Sequence, residues 1–239
     1  MANMDYVTEN KLTLEANQQK RSARKGVLIF GILLALAALY IHVIASFFVL
    51  LATLASFRQQ NGSHILRAGA VGEDYALSLL SKLPDTFTIY NQVDIPNPQS
   101  RTGVNEADII VVGQNAVFVI EVKHNNGTIT GSETDNEWQI RKVGRGGTAY
   151  GKTMRNPIVQ VKKLVWLLSE DLKAKHSKAW VQGVVLFSHP EVQLAMPSSA
   201  SVPVLRAHEL LPFIQGYQGK AKMADPARIT QGIARLKAA

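Results

Sequence analysis

Two acidic side chains and a lysine, set at the ends of two short apolar runs, are the residues best placed to do chemistry in this 239-residue chain. In the stretch EADIIVVGQNAVFVIEVK, residues 106–123, the runs 109–112 and 117–120 are apolar and largely β-branched, and Gly113, Gln114, Asn115 and Ala116 separate them. That pattern predicts a buried hairpin. Asp108 enters the first strand, and Glu121 and Lys123 leave the second with Val122 between them, so a period of two puts Glu121 and Lys123 on one face. Two carboxylates and the intervening Val122 carbonyl are hard oxygen donors of the kind Mg²⁺ or Mn²⁺ takes, and a neighbouring ammonium can position or activate water. Such a set suits phosphodiester hydrolysis. An E-x-K triplet alone more often marks a solvated pair at a strand end; the acidic residue entering the preceding strand turns the reading toward a shared cation.

The elements that must position this hairpin follow from the flanking sequence. Residues 64–83 predict a helix on which Gly69, Gly72, Ala76, Leu80 and Leu83 share a stripe, small enough to lie close on a sheet. Glu73 sits on that stripe, and a carboxylate aimed at a sheet needs a partner to offset its desolvation. Residues 86–95 alternate as a first strand, and a Pro, Asn and Gly loop, 96–104, leads into the hairpin. Past it, 127–131 and 137–141 predict short strands of a β-extension, with Trp138 packing in the interior. Asn156-Pro157 predicts a helix start, Asn as cap and Pro at the first position, with Gln160 in the first turn. Residues 179–187 predict a buried strand, 197–204 an edge strand, and two helices finish the chain, at 208–215 and from Asp225-Pro226 onward.

These landmarks carry a resemblance. An acidic residue entering one strand and E-x-K leaving the next resembles the D…(D/E)-x-K core of the restriction-endonuclease-like nucleases. Gly72-Glu73 in the preceding helix, Glu106-x-Asp108, Val119-Ile-Glu-Val-Lys123, Gly127, Trp138 and Asn156-Pro157-x-x-Gln160 together resemble the nuclease-related domain (NERD) family across residues 67–190. Ala107 stands where the superfamily's name-giving motif has Pro. The resemblance implies a metal-dependent nuclease in which Glu73, Asp108, Glu121, Lys123 and Gln160 fall on the motif positions. Asp108, Glu121 and the Val122 carbonyl would hold the metal with Glu73 in support, Lys123 would orient the attacking water, and Gln160 would help position Lys123 or phosphate.

The substrate is expected to be nucleic acid, DNA favoured. The formal charge of +8 and pI near 9.7 point to an anionic partner, a nucleic acid or an anionic bilayer surface. Between residues 141 and 163 lie Arg141, Lys142, Arg145, Lys152, Arg155, Lys162 and Lys163 with no acidic residue, and four glycines among them predict a flexible strip that tracks phosphates. Gly146 to Thr153 also matches G-x-x-x-x-G-K-[ST], but no buried strand precedes it and Pro157 interrupts any following helix, so no nucleotide cofactor is expected. The chain has no Cys, which excludes disulfides, thiolate-bound zinc and cysteine catalysis.

Residues 26–57 form a 32-residue run without one charged side chain, behind a polar segment ending in Lys20, Arg21, Arg24 and Lys25. A bilayer core takes about 20 apolar residues, and the run is too long for the apolar region of a signal peptide. One tilted transmembrane helix is expected in preference to a hairpin, since Tyr40-Ile41-His42 at the centre holds no turn former. Five Lys and Arg before the run against two soon after it put the N-terminus inside and the rest outside, whereas the expected substrate and Mg²⁺ favour a cytoplasmic domain.

The expectation is therefore an α/β chain with a restriction-endonuclease-like core (helix, three strands, helix, strand; central mixed sheet) preceded by a transmembrane helix. Its parts would be a basic tail 1–25, a membrane segment 26–57, a linker 58–66, a nuclease-like domain 67–190 and a helical extension 191–239. Protein partners in the membrane, or a second copy of the chain, are compatible with the anchor. A second reading stays open: a non-catalytic nucleic-acid-binding or scaffold protein of a DNA-transfer or defence machine, using a degenerate nuclease fold.

Overall fold

The computed structural model describes residues 1–39, 62–143, 147–196, 201–219 and 225–238. The chain divides into two compact units, one of residues 1–8 and 71–239 and the other of residues 9–70.

The first unit is built on a six-stranded sheet formed by β1 (Asn3–Tyr6), β2 (Thr88–Pro96), β3 (Val104–Val112), β4 (Val117–Lys123), β8 (Val181–Phe187) and β10 (Val204–Arg206), in that spatial order. β2, β3 and β4 run antiparallel; β1 on β2, β8 on β4 and β10 on β8 run parallel, so the sheet is mixed. The predicted hairpin is present, its four-residue turn closed by the Gly113 N–H donating to the Ala116 carbonyl at 3.0 Å. Because β3, β4 and β8 are covered on both faces, they are apolar almost throughout their paired lengths.

Helices fill both faces. On one, α3 (Pro157–Ala174) buries Val161, Leu164, Leu168 and Leu172, and α5 (Pro226–Ala238) buries Ile229, Ile233 and Leu236, against Tyr90, Ile110, Val119 and Val185 of the sheet. On the other, the C-terminal part of α2 (Gly62–Leu80) brings Ala76, Leu77 and Leu80, and α4 (Ala207–Gly216) brings Leu210 and Ile214, onto Ile89, Ile109, Phe118 and Leu186. The small-residue stripe predicted for α2 has a clear reason at Gly72. A Cβ there would meet His124 Cβ at 2.6 Å and Ser188 Oγ at 2.9 Å, so only a glycine lets the helix lie this close to the ends of β4 and β8.

A second sheet, ordered β7 (Ala149–Arg155), β6 (Glu137–Val143), β5 (Gly127–Thr130), β9 (Val192–Leu194), is the β-extension. Trp138 is buried in it, stacked on Phe187 with ring centroids 6.4 Å apart and its indole N–H donating to the Ser132 carbonyl at 2.8 Å. Gly127 adopts φ +90°, and a Cβ there would lie 2.3 Å from the Arg141 carbonyl oxygen.

Three features differ from the sequence reading. Residues 3–6 are not tail but an edge strand: the Asn3 N–H bonds the Phe87 carbonyl at 2.9 Å, and the Thr8 N–H bonds Asn91 Oδ1 at 3.0 Å. NMDY has no strand pattern of its own, so pairing with β2 decides its conformation. Among its described residues the basic strip up to Arg155 is a paired ribbon, β6 with β7, because each β7 residue from Ala149 to Arg155 finds a β6 partner, and its last residues begin α3. After residue 190 the chain supplies an unexpected strand, β9, to the second sheet, while the expected edge strand lies at Val204–Arg206 as β10 of the first.

In the second unit, α1 (Lys11–Leu39) starts well before the uncharged run and continues into it. Among the described residues no helix is long and apolar enough to cross a membrane. Residues 40–57 of the predicted membrane segment and 58–61 of the predicted linker lie outside the described residues, and linker residues 62–66 belong to α2.

Candidate active site

The β3–β4 ladder pairs Val112 with Val117 through to Ile109 with Ile120, and there it stops. The next residues in register are Asp108 and Glu121. Instead of a strand partner, the Val122 N–H finds the Asp108 carboxylate, Oδ2 at 2.7 Å. The strands thus fork where the two acidic residues stand. A strand residue turns its N–H and C=O to the same side, so the Val122 carbonyl faces the Asp108 side of the fork. Lys123, one alternation beyond Glu121, reaches back to it with Nζ 2.6 Å from Oε1, an ion pair in which Glu121 is buried and Lys123 is partly exposed.

A local break in alternation aims Asp108. Tyr90 and Val93 on β2, and Ala107 and Ile110 on β3, belong to the same hydrophobic cluster although each pair is three residues apart, so both strands change parity across Gln92 and Asp108. Gln92 does this with φ +47°, a left-handed conformation rare for a residue with a side chain. Its amide is buried and donates to Glu73 Oε2 at 3.1 Å. Glu73 is buried as the helix stripe requires.

The electrostatics follow from this crowding. Asp108 is held well above the usual carboxylate range, first by burial, then by the charge of Glu121 and further by Glu73; the Val122 N–H and the Lys123 ammonium act the other way. Asp108 therefore senses two other carboxylates, although among the described residues no three His, Asp or Glu side chains converge as metal ligands. The fork presents two carboxylates and a carbonyl, with Glu73 behind them. Ionising Asp108 places a charge that its surroundings penalise, which is the condition a divalent cation relieves.

Gln160 enters from α3. Asn156 caps that helix, accepting from the Ile158 N–H at 2.9 Å, while its amide donates to the carbonyls of Ser132, Glu133 and Asp135 at 3.2, 3.1 and 2.6 Å. This pins the helix start to the loop before β6 and fixes the turn that carries Gln160. The Gln160 Oε1 is buried and has no hydrogen-bond donor. An amide oxygen left so costs about 1–3 kcal/mol, and in a polar cleft it marks a place for a donor from water or ligand. The cleft has a volume of about 560 Å³ and is lined by Asp108 and Glu121 from the fork and by Arg155, Asn156, Gln160 and Lys163 from the end of β7 and the start of α3. Glu106 and Glu137 also line it.

The basic residues divide. Arg155 and Lys163 line the cleft. Lys162 instead pairs with Glu133. In the ribbon, directly opposed residues share a face, so Lys142, opposite Tyr150, and Lys152, opposite Ile140, lie on the Trp138 face; Arg141 lies on the other with Arg155. Lys142 titrates below the usual lysine range, through partial burial first and then the nearby Lys152 charge. Arg145 lies outside the described residues. Lys152 and Thr153 are in a β-strand, so the G-x-x-x-x-G-K-[ST] match does not open a helix.

Gln92 is the functional candidate that sequence reasoning missed. Its only signal is a polar residue within an otherwise alternating strand, which does not tell of a left-handed backbone.

The profile of the nuclease-related domain family matches residues 68–188, just over half of the chain. An uncharacterized protein of Bacillus anthracis is 26% identical over 126 residues, which cover 52% of this chain and 58% of that protein. No solved structure matches significantly. With the forked hairpin, the Glu73 helix and the capped Gln160 helix all inside the matched span, the chain belongs to the nuclease-related domain family.

Proposed function

We propose that the protein is a metal-dependent nuclease that hydrolyses phosphodiester bonds, DNA foremost. The observation that carries this reading is the fork: Asp108 and Glu121 at facing strand ends with Lys123 2.6 Å from Glu121, opening on a cleft that Arg155 and Lys163 also line. Asp108, Glu121 and the Val122 carbonyl would hold Mg²⁺ or Mn²⁺, with Glu73 acting on Asp108 by its charge or through water. When bound, such an ion polarises the phosphoryl oxygen and lowers the pKa of its water. Lys123 orients the attacking water through Nζ. Gln160 accepts a hydrogen bond at its free Oε1 from that water or from Lys123, and Arg155 and Lys163 hold the flanking phosphates in register. Single-turnover assays on single-stranded DNA, duplex DNA and RNA, with Mg²⁺ or Mn²⁺ titrated in, test this. Cleavage that rises with metal supports it; a protein that neither binds metal nor cuts any of the three is a nucleic-acid-binding or scaffold protein of a DNA-transfer or defence machine.

We also propose that the uncharged run 26–57 anchors the chain in a membrane, its nuclease domain on the cytoplasmic side. What supports this in the described part is the surface of α1: Leu28, Ile29, Phe30, Ile32, Leu33, Leu34 and Leu36 are all exposed, over most of the helix circumference. A helix apolar nearly all round is not a globular surface helix. Membrane fractionation after carbonate extraction should retain the full chain in the pellet, and protease added to intact cells should leave the domain uncut. Release by carbonate removes the anchor, and digestion from outside reverses the sidedness.

A further inference from the structure

On α3, Val159, Lys163 and Trp166 stand at i, i+4 and i+7, one stripe of the helix, and all three are exposed. The stripe begins in the cleft, which Val159, Gln160 and Lys163 line together with Arg155 from the end of β7. It leads to Trp166, whose side chain is 58% exposed while Trp138 is fully buried. The core side of the helix is Val161, Leu164, Leu168 and Leu172, so Trp166 has no part in holding α3 to the sheet. Among the described residues no ion pair engages Arg155 or Lys163, although the neighbouring Lys162 is paired with Glu133. One turn further, the stripe meets exposed Glu170.

We propose that this stripe is the path by which a single-stranded nucleic acid leaves the cleft, its phosphates passing Arg155 and Lys163 and one base stacking on Trp166. The proposal rests on the nuclease reading of the cleft and adds a substrate class: a strand end or single-stranded flank in preference to continuous duplex. Every base has a π face, so an indole beside cationic side chains is a sequence-tolerant platform. In continuous duplex those faces are covered by their neighbours. Gln160 to Trp166 spans about 9 Å of helix, room for about two or three nucleotides at the ~3.4 Å rise of a stacked strand. One turn beyond the indole Glu170 is paired with Lys173 at 3.8 Å, so the stripe offers no further free cation there and the path ends on the indole.

The test uses the full chain in detergent and EDTA, so that no strand is cut, titrated with an oligothymidylate of about ten nucleotides and, separately, with blunt duplex. Tryptophan fluorescence reports the contact, because Trp166 is well exposed while Trp138 is buried and Trp180 only partly exposed. Trp166→Ala is expected to weaken the oligonucleotide by about 5- to 150-fold and to lose most of the fluorescence change. Trp166→Phe should keep part of the affinity, and blunt-duplex affinity should move less than about twofold. Parent-like oligonucleotide affinity in Trp166→Ala overturns the proposal, as does an equal loss on both substrates or a parent that binds no oligonucleotide. A dimer seen by light scattering that Trp166→Ala dissolves, with oligonucleotide affinity unchanged, makes the indole a contact between copies and overturns it too. Cleavage is read separately with Mg²⁺: a Trp166 effect without cleavage removes the nuclease reading alone, and cleavage without a Trp166 effect removes this path alone.

Discussion

Two antiparallel strand pairs of this protein, β3–β4 and β6–β7, both carry charged residues and treat them in opposite ways. In β3–β4 both faces are covered, pairing stops at Ile109 and Ile120, and the acidic residues beyond are held in a crowded fork. In β6–β7 pairing runs without interruption from Glu137 and Arg155 to Val143 and Ala149; β7 is the sheet edge and mostly exposed. A charge on a solvated ribbon is screened and contributes little by itself. A charge at a buried fork raises the energy of its own site until a cation or a proton compensates it. The comparison teaches that position relative to the cleft, and not abundance, decides which charges act: of the strip's six described basic residues, two line it.

The strongest way to break this contrast is to remove the fork. Asp108→Ala or Glu121→Ala should lower single-turnover cleavage by at least about 10³-fold, since a hard cation held by two carboxylates does not stay well bound with one. Mg²⁺ at 100 times its dissociation constant should stabilise the parent by about 2.7 kcal/mol in thermal unfolding and these variants by almost nothing. If both variants cleave like the parent, the activity resides elsewhere. Lys123→Ala separates chemistry from binding. It removes no oxygen ligand, so metal-dependent stabilisation should persist while the chemical step slows by about 10²- to 10⁴-fold. Loss of the metal response in this variant would show that the lysine holds the fork together and does not act on water.

How much of this could be read beforehand depends on whether a rule is local. The β3–β4 hairpin was legible because a buried strand pair writes itself as apolar runs around a turn, and α3 because Asn156-Pro157 is a helix start that the structure completes with the Ile158 N–H bond. Glu73 was legible through helix periodicity. Strand alternation failed at the site itself: Gln92 and Asp108 sit where two strands change parity, and a period of two cannot express that. The strand β1 was hidden because only its partner gives NMDY a reason to extend. Of the ribbon, β6 was legible and β7 was not, because the glycines around it outweigh a strand pattern that only pairing with β6 supports.

Mutating the basic strip sharpens the comparison with a smaller effect. Each phosphate contact contributes about 0.7 to the slope of log affinity against log salt on a single strand and about 0.9 on B-DNA, so Arg155→Ala with Lys163→Ala should flatten that slope by about 1.4 to 1.8 and weaken binding at low salt. Lys142→Ala with Lys152→Ala, on the other face, should change it by less than about half as much. Equal slopes for the two pairs would mean that nucleic acid wraps the ribbon and does not follow the cleft.

The smallest effect needs neither metal nor substrate. In the metal-free protein Asp108 is held above its ordinary range, chiefly by burial and then by Glu121 and Glu73. A carboxyl whose pKa is higher folded than unfolded binds its proton more tightly in the native state. Its contribution to stability is therefore complete below the unfolded value of about 3.9 and is lost as pH rises through the folded value. Asp108→Asn cannot ionise, and its amide oxygen can still accept the Val122 N–H. In EDTA, the melting temperature of the parent should fall relative to Asp108→Asn as pH rises from about 4 toward neutrality, by about 2–4 °C for each kcal/mol of charge left uncompensated. Saturating Mg²⁺ at pH 7 should reverse the order, because only the parent then has its fork charge offset. A gap that does not depend on pH in EDTA would mean that Asp108 ionises there at no cost, and the buried hairpin would then hold its charges no differently from the solvated one.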